Sequence, residues 1–93
     1  MHIDLSGKYA LVGGSSAGIG KAIAVELANC GASVVLMARN EDRLKAVLLE
    51  LDTSVGQAHS YIVTDFTDFE KHKTSIRDFF ASHPIDILVN NTN

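Results

Sequence analysis

Two uninterrupted apolar runs, Tyr9-Ala10-Leu11-Val12 and Val34-Val35-Leu36-Met37, constrain the fold of this chain more than any other feature. Neither run alternates apolar with polar residues, so each reads as a strand buried on both faces rather than one with a wet side. A helical pattern follows each. From Gly18 onward, Ile19, Ile23 and Leu27 recur every four residues and are expected to face the core, with Lys21, Val25 and Asn29 on the other side. Gly31 predicts the C-terminal cap of that helix, and Cys30 reads as a small buried hydrophobe beside it. After the second run, Asn40 fits an N-cap, with Glu41 and Asp42 in a first turn that favours negative charge. Leu44, Val47, Leu48 and Leu51 then share one helical face.

The alternation continues to the end of the sequence. Residues 52–56 read as a loop and residues 59–63 as a third strand. Thr67-Asp68-Phe69-Glu70 matches a capping box that opens a third helix, with Phe69, Ile76 and Phe80 on its apolar side and His83-Pro84 as its stop. Residues 85–89 predict a fourth strand. The order is β-α-β-α-β-α-β. Right-handed crossovers convert it into a parallel sheet of order 3-2-1-4 with helices on both faces. That is the first half of an α/β, Rossmann-like doubly wound fold.

Composition narrows the function classes. The 93 residues are 46% hydrophobic and 20% charged, an ordinary globular balance, and carry a net charge of −3. A nucleic-acid partner held through its phosphates needs a basic surface, so none is expected. No apolar run approaches the roughly twenty residues of a membrane span, and the N-terminus lacks signal-peptide character. The expected location is cytoplasmic. The single cysteine excludes an internal disulfide, and His2, His59, His72 and His83 share no metal-ligand spacing, so they read as surface or boundary residues and no metal site is expected.

The chemistry concentrates where the first strand hands over to the first helix. Gly14-Ser15-Ser16-Ala17-Gly18-Ile19-Gly20 has the spacing GxxxGxG. Glycines there permit positive φ in a tight turn and let a diphosphate approach backbone N–H groups. They also let the helix pack close, while its N-terminus offers unpaired donors to the anion. After the second strand come Ala38, Arg39 and Asn40. An acidic residue at that place would accept hydrogen bonds from ribose hydroxyls and repel a 2′-phosphate; a guanidinium can instead bind such a phosphate. That pattern selects NADP(H). It also speaks against a methyltransferase-type Rossmann protein, which would carry an acid there. Asp65, after the third strand, can accept from an exocyclic amino group such as that of adenine, and Phe66 can flank the ring. Asn90 and Asn91 stand at the carboxyl end of the fourth strand, where open α/β sheets bind ligands.

Gly13-Gly14-Ser15-Ser16-Ala17-Gly18-Ile19-Gly20 resembles the TGxxxGIG loop of the short-chain dehydrogenase/reductase family. Asp65 matches that family's aspartate beside adenine, and Asn90-Asn91-Thr92-Asn93 its NNAG motif. Gly13 stands where threonine is usual and Asn93 where glycine is usual. The resemblance implies an NADP(H)-dependent oxidoreductase that moves a hydride between nicotinamide and a carbonyl or alcohol, such as a 3-oxoacyl thioester or other ketone. It further implies a homo-oligomeric enzyme. Gly14, Ser15, Ser16, Gly18, Ile19, Gly20, Arg39, Asn40, Asp65, Phe66, Asn90 and Asn91 are the expected cofactor-binding set. The family's catalytic serine and Tyr-x-x-x-Lys are not here, because Gly13 lies four residues beyond Tyr9 and Asp65 four beyond Tyr61. Residues 1–93 are therefore expected to be the N-terminal part of a cofactor-binding domain that continues beyond Asn93. The alternative is a non-catalytic protein of the same fold that binds or senses NADP(H).

Overall fold

Buried main-chain groups need partners, and the strands find theirs in one another. The computed structural model describes residues 3–14, 17–63, 77–78, 81–82 and 84–90. Within it β1 (Tyr9–Gly13), β2 (Ser33–Ala38), β3 (Ser60–Val63) and β4 (Ile87–Asn90) form one parallel sheet in the order β3-β2-β1-β4. This is the order expected from the alternating pattern. Every residue of β2 is buried, and so are the last four of β1, which accounts for their unbroken apolar character. Strand β4 starts two residues later than expected. Asp86 is occupied instead in bracketing Tyr9: its N–H donates to the Tyr9 carbonyl at 2.9 Å, and its Oδ2 accepts from the Tyr9 N–H at 2.9 Å.

Helices α1 (Gly18–Asn29) and α2 (Glu41–Glu50) both cover the same face of the sheet. There Ala24, Ala28, Leu44, Val47 and Leu51 pack on Val12, Val34, Leu36 and Ala38. The opposite face carries Leu11, Val35 and Met37, with Ile62 and Ile85 against them. The expectation of helices on both faces turns on the third helix, which lies largely outside the described residues; Arg77, Asp78, Ala81 and Ser82 are helical.

The inward face of α1 corrects the sequence reading. Gly20, Ala24 and Ala28 are its buried residues, whereas Ile19 is 70% exposed. Val25, expected to face outward, packs with Leu27 at the margin of the core. Small side chains let the helix axis lie close to the sheet, and large ones fit only beside the line of contact. The helix ends in a Schellman arrangement. Gly31 at φ 103° donates to the Ala28 carbonyl at 2.9 Å, and Ala32 donates to the Leu27 carbonyl at 3.1 Å. Cys30, just before it, is half-buried. On α2 the expected face is found, with Leu44, Val47 and Leu51 buried and Leu48 packed against them. The Asn40 cap is present too: its Oδ1 accepts from the Arg43 N–H at 3.0 Å.

The loop between α2 and β3 is tied to the body by side chains. Gln57 donates to the Ala28 carbonyl at 2.8 Å, and the Ser33 hydroxyl accepts from the Ala58 N–H at 3.0 Å. Within the loop, the Ser54 N–H, and after it the Ser54 hydroxyl, hold the Asp52 carboxyl below its ordinary titration range. That contribution is complete at neutral pH and is lost only as the pH falls through the lowered value. His59 bridges two backbones. Its Nδ1 accepts from the Val34 N–H at 3.0 Å, and its Nε2 lies 2.6 Å from the Asp52 carbonyl, which assigns the ring proton to Nε2. Val34 is fully buried, so its amide has no recourse to water if the ring is removed. His59→Phe should therefore cost about 1–3 kcal/mol and lower Tm by several degrees. A thermal melt that coincides with wild type would show that the bridge carries no stability.

Candidate functional site

The carboxyl ends of β1, β2 and β4 meet along one edge of the sheet. Gly13 lies opposite Met37 of β2 on one side and Asn90 of β4 on the other. The next residue, Gly14, is at φ 71° and donates its N–H to the Met37 carbonyl at 2.8 Å. That bond joins the start of the glycine loop to the end of β2. Arg39 and Asn40 follow Met37 by two and three residues.

Beyond the loop, Gly18 is at φ 62°, and a β-carbon added to it would meet nothing within 4 Å among the described residues. The glycine thus serves backbone conformation and leaves open space above the first turn of α1. Gly20 is buried where the helix seats on the sheet. Positive φ at Gly14 and Gly18, and close packing at Gly20, are the separate demands that the sequence placed on these glycines.

The N-cap of α1 is Ala17, in extended conformation and with no side-chain cap hydrogen bond. No acidic residue occupies the first turn. Unlike α2, which has Asn40 as its cap and Glu41 and Asp42 in its first turn, α1 opens without an N-cap oxygen and without local negative charge. A helix start of this kind presents N–H donors and the positive dipole end to an anion. The sequence carries a direct signal for this feature in the alanine at a position that usually holds Ser, Thr, Asp or Asn.

The remaining expected residues are distributed as follows. Ile19 is exposed at the first turn of α1, beside the open space at Gly18. Arg39 and Asn40 are exposed after β2. The Asn40 cap uses Oδ1, which leaves the side-chain NH₂ as its donor group. Asn90 ends β4. Ser15, Ser16, Asp65, Phe66 and Asn91 lie outside the described residues, as does Asn93. One contact at this edge has no counterpart in the sequence reading: the Tyr61 hydroxyl donates to Glu41 Oε2 at 3.2 Å. Among the described residues, no cluster of His, Cys, Asp or Glu is suited to a metal ion, and no helix is long and apolar enough to cross a membrane.

Comparison with known proteins gives a consistent picture. Residues 8–93 match the family model described as short chain dehydrogenase. An uncharacterized oxidoreductase of Bacillus subtilis is 40% identical over 92 residues, which cover 98% of this chain and 34% of that protein. The human inactive hydroxysteroid dehydrogenase-like protein 1 is 36% identical over 85 residues, covering 91% of this chain and 26% of its own length. The chain thus spans about a third or less of these curated relatives. Among solved structures, L-sorbose reductase from Gluconobacter frateurii, complexed with NADPH and L-sorbose, superposes with a TM-score of 0.84 at 37% identity. It covers 100% of this chain and 36% of that one.

The geometry at Gly18 makes a prediction with two readouts. In the full-length protein, Gly18→Ala forces a β-carbon into left-handed backbone, a strain of about 1–2 kcal/mol that should lower Tm by a few degrees. It also fills the space above the helix start, so affinity for a nicotinamide dinucleotide should fall by more than about tenfold, a loss beyond 1.4 kcal/mol. Unchanged affinity on titration, with the Tm shift present, would place the diphosphate elsewhere.

Proposed function

Because the chain belongs to the short chain dehydrogenase family, matching its model over residues 8–93, we propose that it is the NADP(H)-binding part of an oxidoreductase whose polypeptide extends beyond Asn93. When bound, the nicotinamide supplies the hydride for a carbonyl or accepts it from an alcohol. This chain's own residues bind and orient the cofactor. The N–H groups at the start of α1 and the glycine loop, with Ser16, receive the diphosphate. Arg39 and Asn40, with the Ser15 hydroxyl from the other side, take the adenosine 2′-phosphate, Asp65 and Phe66 the adenine, and Asn90 and Asn91 the cofactor ribose. Ile19 lines the approach to that end.

The observation that carries this reading is the conjunction at one sheet edge. The Gly14–Met37 hydrogen bond ties the start of the glycine loop, three residues before the Ala17 N-cap of α1, to the end of β2, two residues before Arg39, and no carboxylate stands at that strand end. The NADPH in the L-sorbose reductase complex supports the cofactor assignment by similarity. Substrates in the carbonyl and alcohol class, including 3-oxoacyl thioesters and other ketones, fit the family, and a homo-oligomeric cytoplasmic enzyme is the form we propose for the intact protein.

A second reading is a protein of the same fold that binds NADP(H) without turnover. Two observations favour it: the 36% identity to an inactive human relative, and Asn93 at a position where the family motif has glycine. A Tyr-x-x-x-Lys sequence downstream of Asn93 decides between the two.

Two measurements test the proposal. Residues 1–93 alone should oxidise no NADPH with simple ketones, since Tyr9 and Tyr61 both lack a lysine four residues on; steady turnover by the purified chain would refute this division of labour. In the full-length protein, a charged contact worth about 1.5–3 kcal/mol should make NADPH bind roughly tenfold to a hundredfold more tightly than NADH. Arg39→Ala should remove most of that preference. Equal affinities in wild type, or a preference unmoved by the substitution, would overturn the assignment of Arg39.

A further inference from the structure

Glu41 is an awkward residue for an NADP(H) site. It follows Arg39 by two positions and opens α2, so its carboxylate belongs to the same sheet edge as the proposed phosphate site. A carboxylate near a doubly charged phosphate monoester repels it, and would cancel much of what an arginine contributes. The structure shows where that charge is kept. Glu41 Oε2 accepts from the Tyr61 hydroxyl at 3.2 Å, and Oε1 lies 3.9 Å from Lys45 Nζ, one turn further along α2.

Tyr61 is well placed for this task. It lies on β3, opposite Leu36 of β2, and its ring packs at the margin of the core beneath α2. Strand β2 separates β3 from β1, and the glycine loop follows β1. The hydrogen bond from Tyr61 therefore ties the Glu41 carboxylate to a strand that β2 separates from β1. Both oxygens are engaged there, by a hydroxyl from the strand and an ammonium from the helix.

We propose that Tyr61 is a positioning residue for cofactor selectivity, whose hydroxyl keeps the Glu41 carboxylate away from the 2′-phosphate site. Given the NADP(H) assignment on which this rests, Glu41 is tolerated beside Arg39 because Tyr61 and Lys45 restrain it. The hydroxyl makes no contact with the cofactor in this scheme; it acts only through Glu41. Freed from Tyr61, the carboxylate can reach the space on the loop side and weaken NADPH selectively, because NADH has no 2′-phosphate to repel.

The test is a double-mutant cycle in the full-length protein, read as dissociation constants for NADPH and NADH. Tyr61→Phe keeps the ring and removes only the hydroxyl. It should weaken NADPH about threefold to tenfold, with NADH changed by less than about twofold. Glu41→Gln alone should leave NADPH binding equal to wild type or tighter. Tyr61→Phe added to Glu41→Gln should have no further effect, since the charge it restrains is gone. Asp42→Asn removes an equal charge from the same helical turn and should not rescue Tyr61→Phe. The loss should also shrink at high salt. Three results overturn the proposal: an equal loss for both cofactors, a loss that persists in the Glu41→Gln background, or no loss. A wild type without NADPH preference overturns the cofactor assignment and this inference together. An Arg39-dependent preference indifferent to Tyr61→Phe overturns this inference alone.

Discussion

The close seating of α1 on β1 and β2 is the contact on which the rest of the molecule depends. It is made by Gly20, Ala24 and Ala28, none of which contributes a large apolar surface. Their value is geometric. With little side chain between helix and sheet, the start of α1 stands directly beyond the end of β1, and the loop between them is short enough to be governed by two positive-φ glycines. A bulkier inward face would lift the helix and open the loop.

At the other end of the same helix, the ties are polar and local. The Gly31 turn reverses the chain into β2, and the Ala28 carbonyl near that turn also accepts from Gln57. Ser33 and His59 continue the stitching from the start of β2 to the loop before β3. The two ends of the sheet thus have different characters. The amino end of β2 is closed by side chains that satisfy backbone groups. The carboxyl end gathers glycines, an uncapped helix start and exposed polar side chains. Open α/β sheets place ligands at the carboxyl end.

Much of this was legible in the sequence where the cause was local. Gly31 and Asn40 announce their helix ends because capping chemistry is carried by one or two residues. The strand order follows from apolar runs and handedness, and so needs no knowledge of particular contacts. Ile19 was misplaced because periodicity counts large residues, and the inward stripe of α1 is written in glycine and alanine, which such a count passes over. His59 and Val34 are 25 residues apart, and Tyr61 and Glu41 are 20 apart; only the register of β2 with β3 brings each pair together. Asp86, read as part of a strand, was claimed by the backbone of Tyr9, 77 residues earlier. At the candidate site, the glycines and Arg39 were readable as chemistry. The restraint on the neighbouring carboxylate was not, because it exists only in the folded sheet.

The two helix starts at the carboxyl edge of the sheet show how one rule of backbone electrostatics serves opposite ends. Helix α2 spends its N-terminal field on its own chain: Asn40 caps it, and Glu41 and Asp42 complement its dipole. Helix α1 has Ala17 as its N-cap and no acid in the first turn, so its own sequence leaves that field uncompensated. An uncapped start costs stability, typically about 1 kcal/mol against a good cap. In a chain whose other described helix is capped in the ordinary way, that cost fits the anion-holding role proposed for the start of α1. The acids of α2 lie only two and three residues from Arg39, where the 2′-phosphate is proposed to sit. The nearer of them, Glu41, is tied by Tyr61 to β3 and by Lys45 to its own helix, so the charge that complements the dipole of α2 is also the one whose position the fold restrains.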